Sequence, residues 1–275
     1  MLDKKYIHIL YMIKINEIKN KNDVKKLKPI VEKQNIYIPN INDKNISRRN
    51  GMIYLLSGSG GSGKSSLILS MFKSKDYYRG KFDNIYYFCP ACSMDSINNH
   101  PFKNHDKVYN ELNVLLLKQI YDELSTVIEP VEKDKKSVFI DEVNEDVEED
   151  EKEPEIQYNC ILIDDFADQL KDPEIQKMLS KMMIKARHIK TAFIFLIQRY
   201  YLFPKILRKQ ITYCSIFKPK NVEEWNSIAK ELLHMNKDNG SVLHDYIYDE
   251  DYSHMDLDTT NNKIYKNFNL LELSK

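Results

Sequence analysis

Between residues 58 and 66 the chain reads Gly58-Ser59-Gly60-Gly61-Ser62-Gly63-Lys64-Ser65-Ser66. The spacing fits G-x-x-x-x-G-K-[ST], with Gly58, Gly63, Lys64 and Ser65 in the fixed places. Glycines let a backbone wrap closely enough for its N–H groups to face an anion, Lys64 has the reach for β/γ-phosphate oxygens, and the Ser65 hydroxyl suits Mg2+. The chemistry implied is binding of Mg-ATP by Gly58 to Ser66, with Lys64 as the catalytic cation.

Two further sets of side chains fit that chemistry. Cys160-Ile161-Leu162-Ile163-Asp164-Asp165 is an apolar run that ends in two carboxylates. Asp164 is placed to hold Mg2+ beside Ser65, and Asp165 to orient or deprotonate an attacking water. Gln198 closes the apolar run Thr191 to Ile197 and can hold that water or sense the γ-phosphate. Val138-Phe139-Ile140-Asp141-Glu142 competes for the metal role, but it is shorter and leads into an acidic run, so Asp164 is preferred. Arg208, Arg187 and Arg199, in that order of preference, are candidates for a finger supplied by a neighbouring subunit.

The elements that must position these groups follow from periodicity. Met52 to Leu56 reads as a buried strand and Ser66 to Phe72 as an apolar helix, so the glycine loop joins a strand to a helix. Asn84 to Cys89 is a second strand, closed by Pro90, and Leu112, Leu115, Leu116, Ile120 and Leu124 mark one helix face. Asp172 and Pro173 start a helix whose Ile175, Met178, Leu179, Met182 and Met183 face a core. Strands at Thr191 to Gln198 and Ile211 to Phe217 follow. Asn221 and Glu224 form a capping box before a helix burying Trp225, Ile228, Ala229 and Leu232. Asp256 to Tyr265, centred on Thr-Thr-Asn-Asn, suggests a hairpin. Alternating strands and helices imply an α/β fold with a mostly parallel sheet and helices on both faces. Ligands in such sheets bind at the carboxyl ends of the strands, where Gly58, Asp164, Asp165 and Gln198 would converge.

The 275 residues divide into a basic extension over 1–50, a core over 51–240 with an acidic insert at 141–156, and a hairpin appendage over 241–275. The 41 basic and 41 acidic residues balance, but they are segregated along the chain, so neutrality excludes no nucleic-acid face. No apolar run approaches the roughly 20 residues of a membrane span. Cys89, Cys92, Cys160 and Cys214 are too few and too scattered for a disulfide framework. Cys89 and Cys92 with His100 and His105 match no zinc-finger spacing, and the plainer reading is a strand end and loop.

Gly58 to Ser65, Ile161 to Asp165, Arg187-His188 and the Gln198, Pro204, Arg208 series together resemble the FtsK-HerA branch of the additional-strand, RecA-like P-loop NTPases. More closely they resemble the DNA-packaging ATPases of large nucleocytoplasmic DNA viruses, the poxvirus type included. The resemblance covers roughly residues 50 to 270. It implies a sheet order of 5-1-4-3-2, ATP and Mg2+ as cofactors, and a homo-oligomeric ring that pumps double-stranded DNA into a capsid. It also implies capsid portal or vertex proteins as partners, no membrane span, and a place in the host cytoplasm at the virus factory, with the virion a further location. Asp165 stands where many members carry Glu, and neither the basic extension nor the acidic insert belongs to the pattern. Two other readings remain open: another FtsK-HerA-type pump or helicase, and a nucleotide-switched capsid assembly protein. A small-molecule kinase is disfavoured, since no Arg-rich lid segment is present.

Overall fold

The computed structural model describes residues 14–18, 26–27, 36–37, 50–95, 100–126 and 157–274. Its strands are β1 (Lys14–Ile18), β2 (Lys26–Leu27), β3 (Ile36–Tyr37), β4 (Ile53–Ser57), β5 (Asn84–Phe88), β6 (Val108–Tyr109), β7 (Asn159–Asp164), β8 (Thr191–Ile197), β9 (Tyr213–Phe217), β10 (His254–Asp258), β11 (Lys263–Lys266) and β12 (Asn269–Ser274). The helices are α1 (Lys64–Lys73), α2 (Ala91–Asp95), α3 (Val114–Thr126), α4 (Pro173–Ile184), α5 (Lys205–Arg208), α6 (Val222–Leu232) and α7 (Lys237–Ile247).

Every residue of β4, β7, β8 and β9 is buried. That is what helices on both faces of a parallel sheet require, and it explains why these strands read as unbroken apolar runs. Side chains alternate between the faces. Leu55, Ile161, Ile163, Phe193 and Phe195 join the core shared with α3, α4, α6 and α7, while Tyr54, Leu56, Leu162, Ile194 and Leu196 join the core under α1. Numbered along the chain, the parallel strands β4, β5, β7, β8 and β9 stand in the order fifth, first, fourth, third, second.

The sheet as a whole departs from the expected five strands. Among the described residues it has ten, in the order β1-β12-β11-β10-β9-β4-β8-β7-β5-β6. The β6 strand adds in parallel beside β5, and β10, β11, β12 and β1 extend the other edge, each antiparallel to its neighbour. The expected hairpin forms between β10 and β11, but it is no appendage, because β10 pairs along β9 and the 240/241 boundary falls inside α7. Part of the N-terminal extension is likewise built into the sheet, with Lys14 opposite Ser274.

The expected cap forms at α4, whereas the buried face of α3 is shifted. Asp172 caps α4 by accepting from the Glu174 N–H at 2.7 Å, with Pro173 in the first turn. The α3 face is shifted: Leu117, Ile120, Tyr121 and Leu124 are buried, and Leu115 is 73% exposed. Helix α3 starts only at Val114, where Asn113 accepts from the Leu116 N–H, and that start sets which side chains face inward. The acidic run and the competing Asp141-Glu142 pair lie outside the described residues. Among the described residues no helix is long and apolar enough to cross a membrane.

Candidate active site

The loop between β4 and α1 is shaped by its glycines. Gly61 and Gly63 have φ of 76° and 101°, in the left-handed region that side chains disfavour. At Gly58 the constraint is space, since a methyl group there would meet Phe217 Cβ at 2.6 Å and Ser62 Oγ at 2.7 Å. Lys64 folds back into the curve, its Nζ donating to the carbonyls of Gly58 at 2.6 Å and Ser59 at 3.1 Å. Burial lowers the Lys64 pKa, and the charges of Asp164 and Asp165 partly offset that. The first turn of α1 carries no acidic residue, so its partial positive charge faces the loop unopposed by a carboxylate there.

Asp164, the last residue of β7, accepts from the Ser65 hydroxyl at 3.1 Å. Burial pushes its carboxyl up to about 6, against the lowering effects of Ser65 and Lys64 and with a further push from Asp165. A buried carboxylate beside a half-buried hydroxyl suits a hard cation, and Ser65 with Asp164 is the donor set a Mg2+ ion would use. Asp165 would ordinarily point to the opposite face, because strand side chains alternate. Its φ of 61° breaks the alternation and leaves it exposed at the same mouth, where its Oδ1 accepts from Gln198 Nε2 at 2.9 Å. The backbone ties β4 to β8 at this point, with Gly58 N–H donating to the Ile197 carbonyl at 3.1 Å. The structure therefore brings Lys64, Ser65, Asp164, Asp165 and Gln198 together as predicted.

A family model described as Poxvirus A32 protein matches residues 40–239. The chain belongs to the poxvirus A32 family. No curated protein matches it in sequence. In fold it is similar to B204, the DNA-packaging ATPase from Sulfolobus turreted icosahedral virus. That match has 15% identity and a TM-score of 0.51, covering 79% of this chain and 97% of B204. It is also similar to the pCW3 conjugation coupling protein TcpA in its monomer form with ATPγS, at 13% identity and a TM-score of 0.51, covering 92% of this chain and 65% of TcpA. At these identities the likeness concerns the fold alone.

The arginines of this A32-family chain separate clearly. Arg208, a finger candidate, is engaged within its own chain. Its Nη1 donates to Glu231 Oε2 at 2.7 Å, its guanidinium lies 4.9 Å from the Tyr200 ring centre, and its side chain is 8% exposed. It fastens α5 to α6 within one chain. Arg187 is exposed but lies against Gly51, at the amino end of β4, where a methyl group would come 2.4 Å from its Cγ. The strand separates it from its own loop by about 17 Å, at about 3.3 Å per residue. It is out of reach of its own chain's loop. Arg199 is half-buried and donates to the Tyr201 hydroxyl.

Glu224, Phe217, His254 and Asp256 support the site in ways the sequence did not show. Glu224 does not complete a capping box. Asn221 does cap α6 by accepting from the Glu224 N–H, but the Glu224 carboxylate turns away and accepts from the Tyr200 N–H, fixing the segment after Gln198. Phe217, at the end of β9, fills the space left by Gly58. Behind it stand His254 and Asp256 of β10. The His254 ring lies 5.1 Å from that of Phe217, and its Nδ1 is 2.8 Å from Asp256 Oδ1. Only the two-residue alternation of His254-Met255-Asp256 hinted at an inward polar face.

Of Cys89, Cys92, His100 and His105, the Cys92 side chain lies outside the described residues. His100 is a core residue stacked on Tyr87, and burial lowers its pKa to about 4. Its Nδ1 accepts from the Phe102 N–H, and the Cys89 thiol donates to the Pro90 carbonyl. No metal-holding cluster of His, Cys, Asp and Glu occurs among the described residues.

Proposed function

We propose that this chain is the ATP-hydrolysing motor that moves double-stranded viral DNA into a capsid. The observation that carries the catalytic part is the convergence of Lys64, the Ser65–Asp164 contact and the Asp165–Gln198 pair at one mouth. Family membership and the likeness to a packaging ATPase support the motor part.

In this reading Lys64 exchanges its loop carbonyls for β/γ-phosphate oxygens, and the loop amides hold the rest of the triphosphate. Ser65 and Asp164 would hold a Mg2+ ion, which would neutralise charge on the phosphates. Asp165 accepts a proton from water, and Gln198, hydrogen-bonded to it, fixes where that carboxylate points. Arg187 of one subunit reaches the nucleotide of the next, which makes a ring the working unit. Capsid vertex proteins and a site in the host cytoplasm belong to the same proposal.

The test is the ATPase rate with and without long duplex DNA across a salt series. Duplex should stimulate turnover regardless of its sequence, and binding should weaken steeply with salt, by a slope of about −0.9 per neutralised phosphate. Slow hydrolysis indifferent to DNA at low salt would favour a nucleotide-switched assembly protein instead.

A further inference from the structure

We propose that Tyr252 is the platform on which the base of the bound nucleotide stacks, an assignment that rests on the nucleotide-binding reading of the loop. The direction of the ligand follows from the catalytic groups. Asp165 and Gln198, which address the γ-phosphate, stand at the ends of β7 and β8 on one flank of β4. The triphosphate crosses the amino end of α1, so the nucleoside must leave on the other flank, beside β9 and β10.

On that flank Tyr252 is the exposed aromatic residue at the loop. Because β10 runs antiparallel to β9, the turn before it emerges at the same end of the sheet as the glycine loop. A methyl group at Gly63 would lie 3.6 Å from Tyr252 Cδ1 and 3.6 Å from Phe217 Cε1, so two rings flank the start of α1. Phe217 is buried, and Tyr252 is 47% exposed. Tyr252 also has a φ of 63°, a left-handed conformation that is an outlier for a bulky residue. Strain of this kind persists where the surroundings fix it.

Those surroundings are present. Lys266 Nζ holds both carboxylate oxygens of Asp249 at 2.7 and 2.8 Å, Ser253 N–H donates to the Glu250 carbonyl, and His254 N–H donates to Asn267 Oδ1. The turn is therefore tied to β11 and the residue after it on both sides of Tyr252. A fixed, half-exposed ring beside the phosphate cradle presents a π-face, and stacking on such a face adds affinity for any base with little selection among them.

The experiment measures equilibrium binding of ATP, GTP and inorganic tripolyphosphate to the full chain in Mg2+ buffer, for wild type, Tyr252→Gly, Tyr252→Phe and Lys64→Ala. Glycine adopts the turn's φ without strain, so that variant removes the ring and keeps the backbone path. Tyr252→Gly should weaken ATP and GTP alike, by about tenfold or more, and leave tripolyphosphate unchanged. Tyr252→Phe should bind all three as wild type does. Unchanged ATP affinity in Tyr252→Gly overturns the proposal, as does an equal loss for tripolyphosphate, which would mean that the loop itself had moved. If wild type binds neither ATP nor tripolyphosphate, or Lys64→Ala binds both normally, it is the nucleotide reading that fails.

Discussion

Replacing Asp164 by Asn should stabilise the metal-free protein while removing its use for Mg2+. Burial raises the carboxyl to about 6 in the folded chain, whereas an unfolded Asp titrates near 3.9. Below about pH 4 both states hold the proton, and the group contributes nothing to the pH dependence. Between about pH 4 and 6 the unfolded chain releases the proton first, so folding loses stability as pH rises, and above about 6 the full penalty is present. Roughly two pKa units at 1.36 kcal/mol each make that penalty about 3 kcal/mol. Asparagine has the same shape, can still accept from Ser65, and never ionises. The stability difference between Asp164→Asn and wild type should therefore grow by about 3 kcal/mol from pH 4 to pH 8, with the variant gaining. Thermal unfolding in EDTA without nucleotide, followed by circular dichroism at a series of pH values, reads this as a divergence of about 5 to 10 °C. Mg-ATP should then raise the wild-type midpoint at pH 8 and do little for the variant. A pH-independent difference, or a wild type that gains on the variant with rising pH, would refute the claim that Asp164 is a destabilised carboxylate kept for its metal.

The other perturbations are simpler to state. Lys64→Ala should abolish turnover in a steady-state phosphate-release assay, and Asp165→Asn should still bind Mg-ATP while hydrolysis stops, with Gln198→Ala intermediate because it only orients Asp165. Arg208→Ala should cost about 1.5 to 3 kcal/mol in urea unfolding, the range of a charge-assisted hydrogen bond, and mixing with other subunits should not repair it. Arg187→Ala should fold normally, bind ATP and turn it over about 10³-fold or more slowly. Mixed rings of Arg187→Ala and Lys64→Ala subunits should recover part of the rate, since each supplies what the other lacks, and verified mixed rings without recovery would exclude a role in trans.

The candidate site was legible in the sequence because each of its residues is announced locally. Gly58 to Ser65 carries its own spacing, and Asp164 and Gln198 each terminate an apolar run, so strand polarity alone brings them to one end of the sheet. What was not legible depends on partners distant in the chain. Arg208 matches the expected spacing for a finger, and its contacts with Glu231 and Tyr200 are not recognisable before α6 is packed. Asp256 and Asp258 alternate with apolar residues in the sequence, and both are fully buried in β10. Asp256 there satisfies Ser215, His254 and the Phe268 N–H. Asp258 accepts from the Thr260 and Asn261 N–H groups in the following turn. Alternation gave the strand, and only the three-dimensional partner shows that its polar face points inward.

That buried face makes the described residues after Gly240 part of the site's support and yields a test of the domain boundary. Tyr54 of β4 shares a 2.7 Å hydrogen bond with Ser215 of β9, Ser215 bonds Asp256 of β10, and Asp256 steadies the His254 ring behind Phe217 and Gly58. A chain ended after Gly240 would lose Leu243, Ile247, Met255, Leu257 and Leu271 from the main core. At about 1.5 to 3 kcal/mol for each buried side chain, that loss of roughly 10 kcal/mol equals the whole stability of an ordinary domain. It would also convert β9 into an open edge and strand the Tyr54–Ser215 pair without its carboxylate. The truncated chain should fail to fold, seen as loss of a cooperative melting transition and of tripolyphosphate binding together. A truncated chain that melts cooperatively and binds tripolyphosphate as the full chain does would restore the C-terminal strands to the status of an appendage.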